Sequence, residues 1–417
     1  MNRFLPALLL VLFSLPGILS EKESLPAVTH YSLTIRLALK EHRVRVAATL
    51  SVKNVTSEPH TKLPFVLYRL LTASQAIDQH GQPLPFEQNV VEFLDEPSLQ
   101  VRQVVVHLPT PLQPNDSTRI TLTYDGAIFG YPEVMAYVKD RIDETYSLLR
   151  PDAFAFPVLA HLTFNSVFAA SDVKFTYETV ATVPDSYVVA CGGELFDSHI
   201  TADSSTFRFH SKVPTWRIDL AVAKFAMLSN RADKLVVYHL PEDSAGARRV
   251  LDASAAVIKF YSGTFGRPKN FQGYTIIEIP DGWGSQASDC YFLQTAAAFK
   301  DSTRIGEVYH EIGHSWNATP AKEIQRCRWF DEAFASFFEA LAIRAFSGEQ
   351  AFDQDMEKSR DVFVRWANHD RQVFETPIAE YGNRELGRHS YTKGAWSLYV
   401  LHGWWEKGLF PPSFKPC

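Results

Sequence analysis

Two histidines and a glutamate stand together in one short segment, His310-Glu311-Ile312-Gly313-His314. In a helix, residues four positions apart lie on the same face, so both imidazoles could bind one metal ion. Glu311, beside them, could then act as a general base toward a water molecule. This H-E-x-x-H spacing predicts a hydrolytic zinc site. The plainer alternative is a surface helix that happens to carry two histidines, and the rest of the sequence decides between them.

A third metal ligand is needed, and Glu332 is the best candidate. It lies 18 positions after His314 (332 − 314), early in a second segment with helical spacing. Two histidines and one glutamate leave a coordination position open, which is typical of catalytic zinc sites. Asp331 is the alternative ligand, with a shorter side chain. Glu307 and Glu339 are candidate acceptors for the remaining imidazole N–H groups, and a solvated helix face is the alternative for both.

The surrounding sequence predicts two regions of different structure. From about residue 26 to 235, apolar and polar residues alternate in runs such as 31–39, and turn-forming residues separate the runs. Successive strands without helices indicate an antiparallel sandwich or saddle of β-sheets. Strands are predicted at 274–279 and 291–299, and helices at 242–263, 351–366 and 391–405. We therefore expect an α+β multidomain chain, with an N-terminal β-sheet domain at 21–235 and a metal-bearing domain at 236–417.

The N-terminus and the charge balance bear on location and partners. Residues 1–20 are typical of a signal peptide, because Arg3 precedes an apolar stretch and Ser20 offers a small residue for cleavage. The stretch is short and contains Pro6 and Pro16, which favours a secreted or periplasmic protein; an uncleaved membrane anchor is the alternative. The net charge is −6 and no basic run occurs, so nucleic acid is not expected as a partner.

Three blocks of the sequence resemble the zinc aminopeptidases of the gluzincin clan, which include aminopeptidase N and leukotriene A4 hydrolase. The H-E-x-x-H segment matches their zinc helix, residues 329–339 resemble W-x-N-E-G-F-A-S-x-x-E, and residues 391–395 resemble Y-x-K-G-A. The resemblance implies a β-saddle domain, a thermolysin-like α+β catalytic domain, one Zn²⁺ per chain and peptide substrates. It also implies that Tyr391 donates a hydrogen bond to the oxyanion of the reacting carbonyl. A core aromatic residue at a helix start is the alternative for Tyr391.

The sequence departs from the family pattern in three places. One residue fewer separates the second histidine from the ligand glutamate, which a connecting loop can absorb. The amine-binding G-x-M-E-N motif is absent. Aligning Trp283-Gly284 with the W-G of the family places Asp281 at the position of the amine-binding glutamate. The side chain of Asp281 is one methylene shorter than that of a glutamate. Family members also continue beyond the Tyr391 segment with a helical domain, so we expect either a fragment or a more open cleft.

These residues together predict a zinc-dependent metallopeptidase, aminopeptidase-like, that hydrolyses peptide bonds. Two alternatives stay open. An endopeptidase or a peptidase of altered specificity would explain the missing G-x-M-E-N motif. A non-catalytic binding module could keep the peptidase fold, but it has no physical need for all five site residues, His310, Glu311, His314, Glu332 and Tyr391.

Overall fold

The structure is a computed structural model of the 417-residue chain, and it describes residues 24–268, 271–317, 330–378 and 389–406. The predicted signal peptide at residues 1–20 and Trp329 of the second family block lie outside the described residues.

Three β-sheets form the N-terminal part of the described chain. Strand β1 (Ala27–Ala38) shows why: its buried and exposed side chains alternate, because one face of the sheet covers the core and the other meets solvent. It pairs antiparallel with β2 (Arg43–Lys53) and parallel with β10 (Thr176–Pro184). The N-terminal β-sheet domain expected from the alternating pattern is therefore present, and its largest sheet contains one parallel pair near the centre.

The remaining elements of this part complete the three sheets. The seven-stranded sheet adds β4 (Leu71–Asp78), β7 (Ser117–Gly126), β12 (Glu194–Ile200) and β13 (Ser204–His210), in the order β12-β13-β10-β1-β2-β7-β4. A second sheet contains β3 (His60–Tyr68), β5 (Phe86–Glu92), β6 (Gln100–Leu112) and β9 (Val158–Leu159), and a third contains β8 (Ser147–Leu149), β11 (Val188–Cys191) and β14 (Leu220–Ala223). Helix α1 (Phe164–Ala170) follows β9, and one continuous apolar core joins the sheets.

A five-stranded mixed sheet supports the metal-site region. Its strands are β15 (Ala226–Asn230), β16 (Leu235–His239), β17 (Tyr274–Ile279), β18 (Gln286–Ser288) and β19 (Tyr291–Thr295), in the order β15-β16-β17-β19-β18. The central strands run parallel, and every side chain of β17 and β19 is buried because both faces of the sheet are covered. The sheet begins at Ala226, so the domain boundary predicted at residue 235 falls inside it.

Helices cover the sheet and carry the predicted site. They are α2 (Ser244–Phe265), α3 (Ala296–Lys300), α4 (Gly306–Gly313), α5 (Glu332–Ser347), α6 (Glu349–His369), α7 (Arg371–Glu375) and α8 (Ala395–Glu406), with a π-helical turn at Ser390–Gly394. The strand predicted at 291–299 ends at Thr295, because the following run of three alanines forms α3. Across the described ranges, no helix is both long and apolar enough to span a membrane.

The two parts of the chain meet along a seam that contains buried charge. Arg150 is fully buried, donates to both carboxylate oxygens of Asp140 at 2.8–3.1 Å and donates to the Trp283 carbonyl at 3.0 Å. Nearby, Asp152 accepts hydrogen bonds from Arg217 and from Gln286 of β18, each at 2.8 Å. The edge strand β18 of the five-stranded sheet is thus held by side chains of the N-terminal part.

Candidate metal centre and active site

Helix α4 places the two histidines side by side. Val308 and Ile312 are fully buried against the sheet, which turns His310 and His314 toward α5. The two imidazole rings lie 4.9 Å apart, centroid to centroid, at 86° to each other. Glu311 is also buried beside them.

Glu332, the first residue of α5, completes a group of three possible metal ligands. One ligand atom from each of His310, His314 and Glu332 lies within 4.8 Å of the others. Glu332 Oε2 is 3.3 Å from His310 Nε2 and 3.5 Å from His314 Nε2. Both distances exceed the usual 2.7–3.2 Å of an N–H···O hydrogen bond. They match the separation of ~3.3–3.5 Å between donor atoms at zinc-ligand distances around a tetrahedral ion. The donor set therefore fits zinc.

The remaining imidazole nitrogens contact polar side chains of the same two segments. His310 Nδ1 lies 3.5 Å from Ser336 Oγ and 3.4 Å from Glu339 Oε2, which are one and two turns along α5 from Glu332. Such partners fix the tautomer and the orientation of a ligand imidazole. Ser336 was not predicted, although the spacing 332, 336, 339 places all three residues on one helix face.

His314 has its own pair of partners. Its Nδ1 lies 2.9 Å from Asp331 Oδ1, and Asn317 Nδ2 is 2.9 Å from both of these atoms. Asp331, the alternative ligand of the sequence analysis, thus contacts the nitrogen opposite to the one facing Glu332. Asn317 was missed, although it lies one helical turn after His314.

Glu307 lies elsewhere than expected. Its carboxylate accepts hydrogen bonds from Gln294 Nε2 at 3.1 Å and Thr295 Oγ1 at 3.3 Å, and it pairs with Arg304. It therefore links α4 to β19 instead of holding a ligand imidazole. The physical reason is that two donors at the end of β19 and the Arg304 guanidinium already satisfy its carboxylate.

A glycine allows the contact between Glu339 and the zinc helix. A Cβ atom at Gly306 would lie 2.5 Å from Glu339 Oε1, closer than real Cβ contacts. Gly306 costs the helix ~1 kcal/mol relative to alanine. A larger residue at this position would require the Glu339 carboxylate to move.

The environment of Glu311 suits a proton acceptor. Burial raises the pKa of Glu311 to about 7, and the neighbouring histidines act in the opposite direction. A general base is most effective when its pKa lies near the working pH. A cation on the three ligands would lower this pKa further.

Tyr391 stands over the group on the π-helical turn. Its ring stacks on the imidazole of His310 with centroids 5.7 Å apart and an angle of 15° between the planes. Tyr391 is half-buried, and its ring contacts a metal-ligand imidazole directly. Single-turn π-helices occur frequently at functional sites.

Asp281 lies in the turn after β17. Its carboxylate is 53% exposed and lies 3.9 Å from the Lys300 ammonium. A substrate-binding role for Asp281 stays a prediction. Helix α4 contacts β19 and the edge strand β18, which begins five residues after Asp281, at Gln286.

Several known aminopeptidases are similar to this chain in sequence. No family model matches the chain. Human endoplasmic reticulum aminopeptidase 1 is 24% identical over 278 residues, which cover 61% of this chain and 28% of that protein. Glutamyl aminopeptidase from Bos taurus is 26% identical over 227 residues, covering 49% and 24%, and that from Rattus norvegicus is 23% identical over 422 residues, covering 93% and 42%. The chain thus spans less than half the length of these relatives.

Solved structures agree with the sequence comparison. An M1 zinc metallopeptidase from Deinococcus radiodurans superposes with a TM-score of 0.63 at 18% identity, covering 90% of this chain and 82% of the other. A mutant of that enzyme bound to a Tyr-Ser-Ala substrate gives a TM-score of 0.61. The chain has the M1 zinc metallopeptidase fold. The predicted resemblance to gluzincin-clan zinc aminopeptidases and the α+β fold class are both confirmed.

His310, His314 and Glu332 are the residues that would hold a zinc ion in this fold. A zinc ion in such a site supplies Lewis acidity, which polarises a carbonyl group and makes water more acidic.

Proposed function

We propose that this protein is a zinc-dependent metallopeptidase with aminopeptidase-like activity. The observation that carries the proposal is the convergence of three metal-ligand side chains within 4.8 Å, beside the buried Glu311 and under the Tyr391 ring. The aminopeptidase relatives and the neighbour solved with a bound tripeptide support peptide as the substrate class.

The side chains of this chain have distinct roles in the proposed reaction. Glu311 takes a proton from the attacking water and passes it to the amine that leaves when the peptide C–N bond breaks. Tyr391, a neutral phenol at pH 7, donates a hydrogen bond to the carbonyl oxygen as negative charge develops there. Asp331 and Glu339 hold the imidazoles of His314 and His310 in their ligand orientations.

The general-base role is tested by Glu311→Gln, which keeps the shape of the side chain but cannot accept the proton. We expect the variant to retain one zinc per chain and to lose kcat by a factor of ~10² to 10⁴. Glu357→Gln, on the exposed face of α6, is the matched control and should keep full activity. Unchanged turnover in Glu311→Gln would refute the mechanism.

A second candidate function is an endopeptidase or a peptidase of altered specificity. The observation that favours it is the solvent-exposed Asp281 carboxylate, which already has Lys300 as an ionic partner. An aminoacyl-nitroanilide and its N-acetylated form separate the two candidates. Faster cleavage of the free-amine substrate supports the aminopeptidase, and faster cleavage of the acetylated substrate supports the alternative. Zinc binding without hydrolysis of either substrate would favour a binding module.

Export to the periplasm or the extracellular space belongs to the proposal as well. The apolar stretch after Arg3 and the small residue Ser20 support it. Mass spectrometry of the mature N-terminus tests it: a mature chain that begins near residue 21 is expected, and an intact Met1 in the membrane fraction would indicate the uncleaved anchor.

A further inference from the structure

We propose that Lys393 is a positioning residue that anchors the π-helical turn and thereby keeps Tyr391 over the metal ligands. The inference rests on the proposed catalytic role of Tyr391 and deepens it, because it names the side chain that fixes the geometry of that phenol.

The Lys393 ammonium is held by backbone carbonyls of another helix. Nζ donates to the carbonyl oxygens of Val373 at 2.9 Å and Thr376 at 2.8 Å, with Phe374 O at 3.4 Å. These carbonyls lie at the C-terminal end of α7, where a helix leaves its last acceptors unsatisfied and attracts positive charge. Lys393 therefore joins the turn to α7 through several charge-assisted hydrogen bonds.

The same turn is fixed to the metal site on its other sides. The Tyr391 ring stacks on His310 of α4. A Cβ atom at Gly394 would lie 2.3 Å from Ala333 Cβ, so the turn presses directly against α5 beside Glu332. Of these three contacts, only that of Lys393 joins the turn to an element that carries no metal ligand.

The turn needs such an anchor because of its geometry. A π-helical turn is rare and is seldom stable without support from its surroundings. Tyr391 and Lys393 are two residues apart, so their side chains leave opposite sides of the turn. Pulling Lys393 toward α7 therefore fixes the rotation of the turn and, with it, the position of the phenol.

The test compares Lys393→Met with Lys393→Arg in the zinc-loaded protein. Methionine removes the ammonium, and we expect kcat to fall ~10- to 100-fold with KM and zinc content unchanged, since a misplacement of about 1 Å has such an effect on rate. Arginine can still donate to the carbonyls and should restore most of kcat. Lys358→Met, on the exposed face of α6, is the matched control and should leave kcat unchanged.

A double-mutant cycle asks whether Lys393 acts through the phenol. In a Tyr391→Phe background, Lys393→Met should change kcat by less than about 2-fold, because residues that act as a unit are not additive. The same 10- to 100-fold loss in that background would overturn the proposal, as would an unchanged kcat in the single variant.

Hydrogen–deuterium exchange supplies a readout that does not depend on activity. In Lys393→Met, the amides of residues 389–394 should exchange faster than in the parent, while those of α4 keep their protection. Unchanged protection at 389–394 would overturn the anchor, even if the parent protein hydrolysed no peptide and the proposed function failed. If Lys393→Met does not fold, Lys393→Gln, which can donate to one carbonyl, replaces it with the same expected directions.

Discussion

Glu278 makes the stability of the fold depend on pH. This residue takes no part in the chemistry of the metal site. This glutamate is fully buried on β17, and its Oε2 accepts a hydrogen bond from the Leu240 N–H at 2.7 Å. Its Oε1 and the Oδ2 of Asp243 both lack a hydrogen-bond partner among the described residues, apart from the Lys300 ammonium 3.9 Å from Asp243. One proton shared by the two carboxyl groups would satisfy both oxygens.

The pKa of Glu278 agrees with a shared proton. Burial, followed by the hydrogen bond with Asp243, raises the pKa of Glu278 to about 8. A pKa that is higher in the folded state stabilises the protein fully below the pKa of the unfolded chain, ~4.3, and this stability is lost as the pH rises toward 8. Between these values unfolding releases a proton, so the free energy of unfolding falls by up to ~1.4 kcal/mol per pH unit.

The substitution Glu278→Gln removes this dependence. Glutamine resembles the protonated glutamate, because its carbonyl can accept from Leu240 and its NH₂ group can donate to Asp243. Above pH 8 the parent must keep a buried charge, at a cost of a few kcal/mol, and the variant does not. With ~2.1 cal/mol/K of unfolding entropy per residue, 3 kcal/mol corresponds to a rise in Tm of roughly 3 °C for the whole chain.

Thermal unfolding at pH 5 and at pH 8.5 tests the prediction. The variant and the parent should have Tm values within about 1 °C at pH 5, and the variant should be roughly 3 °C more stable at pH 8.5. Glu41→Gln, in the exposed β1–β2 turn, is the control and should shift neither value. A variant that is less stable than the parent at pH 8.5 would refute the shared proton.

Three further changes have expected outcomes. Tyr391→Phe should lower kcat by ~10²- to 10³-fold with zinc content unchanged in elemental analysis, because only the oxyanion donor is lost; a normal kcat would leave the ring as a core aromatic. Asp331→Ala should weaken zinc binding by ~10- to 100-fold in chelator competition, because His314 loses its orienting carboxylate; unchanged affinity would contradict that role. Arg150→Met should destabilise the fold by ~3–5 kcal/mol in denaturant unfolding, because it leaves Asp140 buried without its partner, and adding Asp140→Leu should recover part of the loss; equal losses in both variants would argue against the pair.

The sequence predicted the features that depend on local spacing. His310 and His314 are close because helical periodicity requires it, and the alternation in β1 specified a half-buried strand. Glu332 could be predicted because it begins a second helical segment, and that helix must pack against the first if both are to bind one metal ion. The same argument, extended along α5, would also have identified Ser336.

Features that depend on long-range packing were not predictable. The pairing of Asp281 with Lys300 and the contact of Glu307 with β19 follow from how the strands and helices meet in three dimensions. The π-helical turn that contains Tyr391 departs from the 3.6-residue period on which helix prediction rests. Strand β15 joins the five-stranded sheet without any change of pattern in the sequence, because both parts of the chain use the same alternation at that point.

The proposed function depends most on a zinc ion held by residues of α4 and α5. The most direct measurement is a crystal structure of the zinc-loaded protein with anomalous diffraction data at the zinc absorption edge. We expect one anomalous peak per chain, bounded by Nε2 of His310, Nε2 of His314 and the carboxylate of Glu332. A peak ligated by Asp331 in place of Glu332, or no peak between the two helices, would contradict the proposed zinc site.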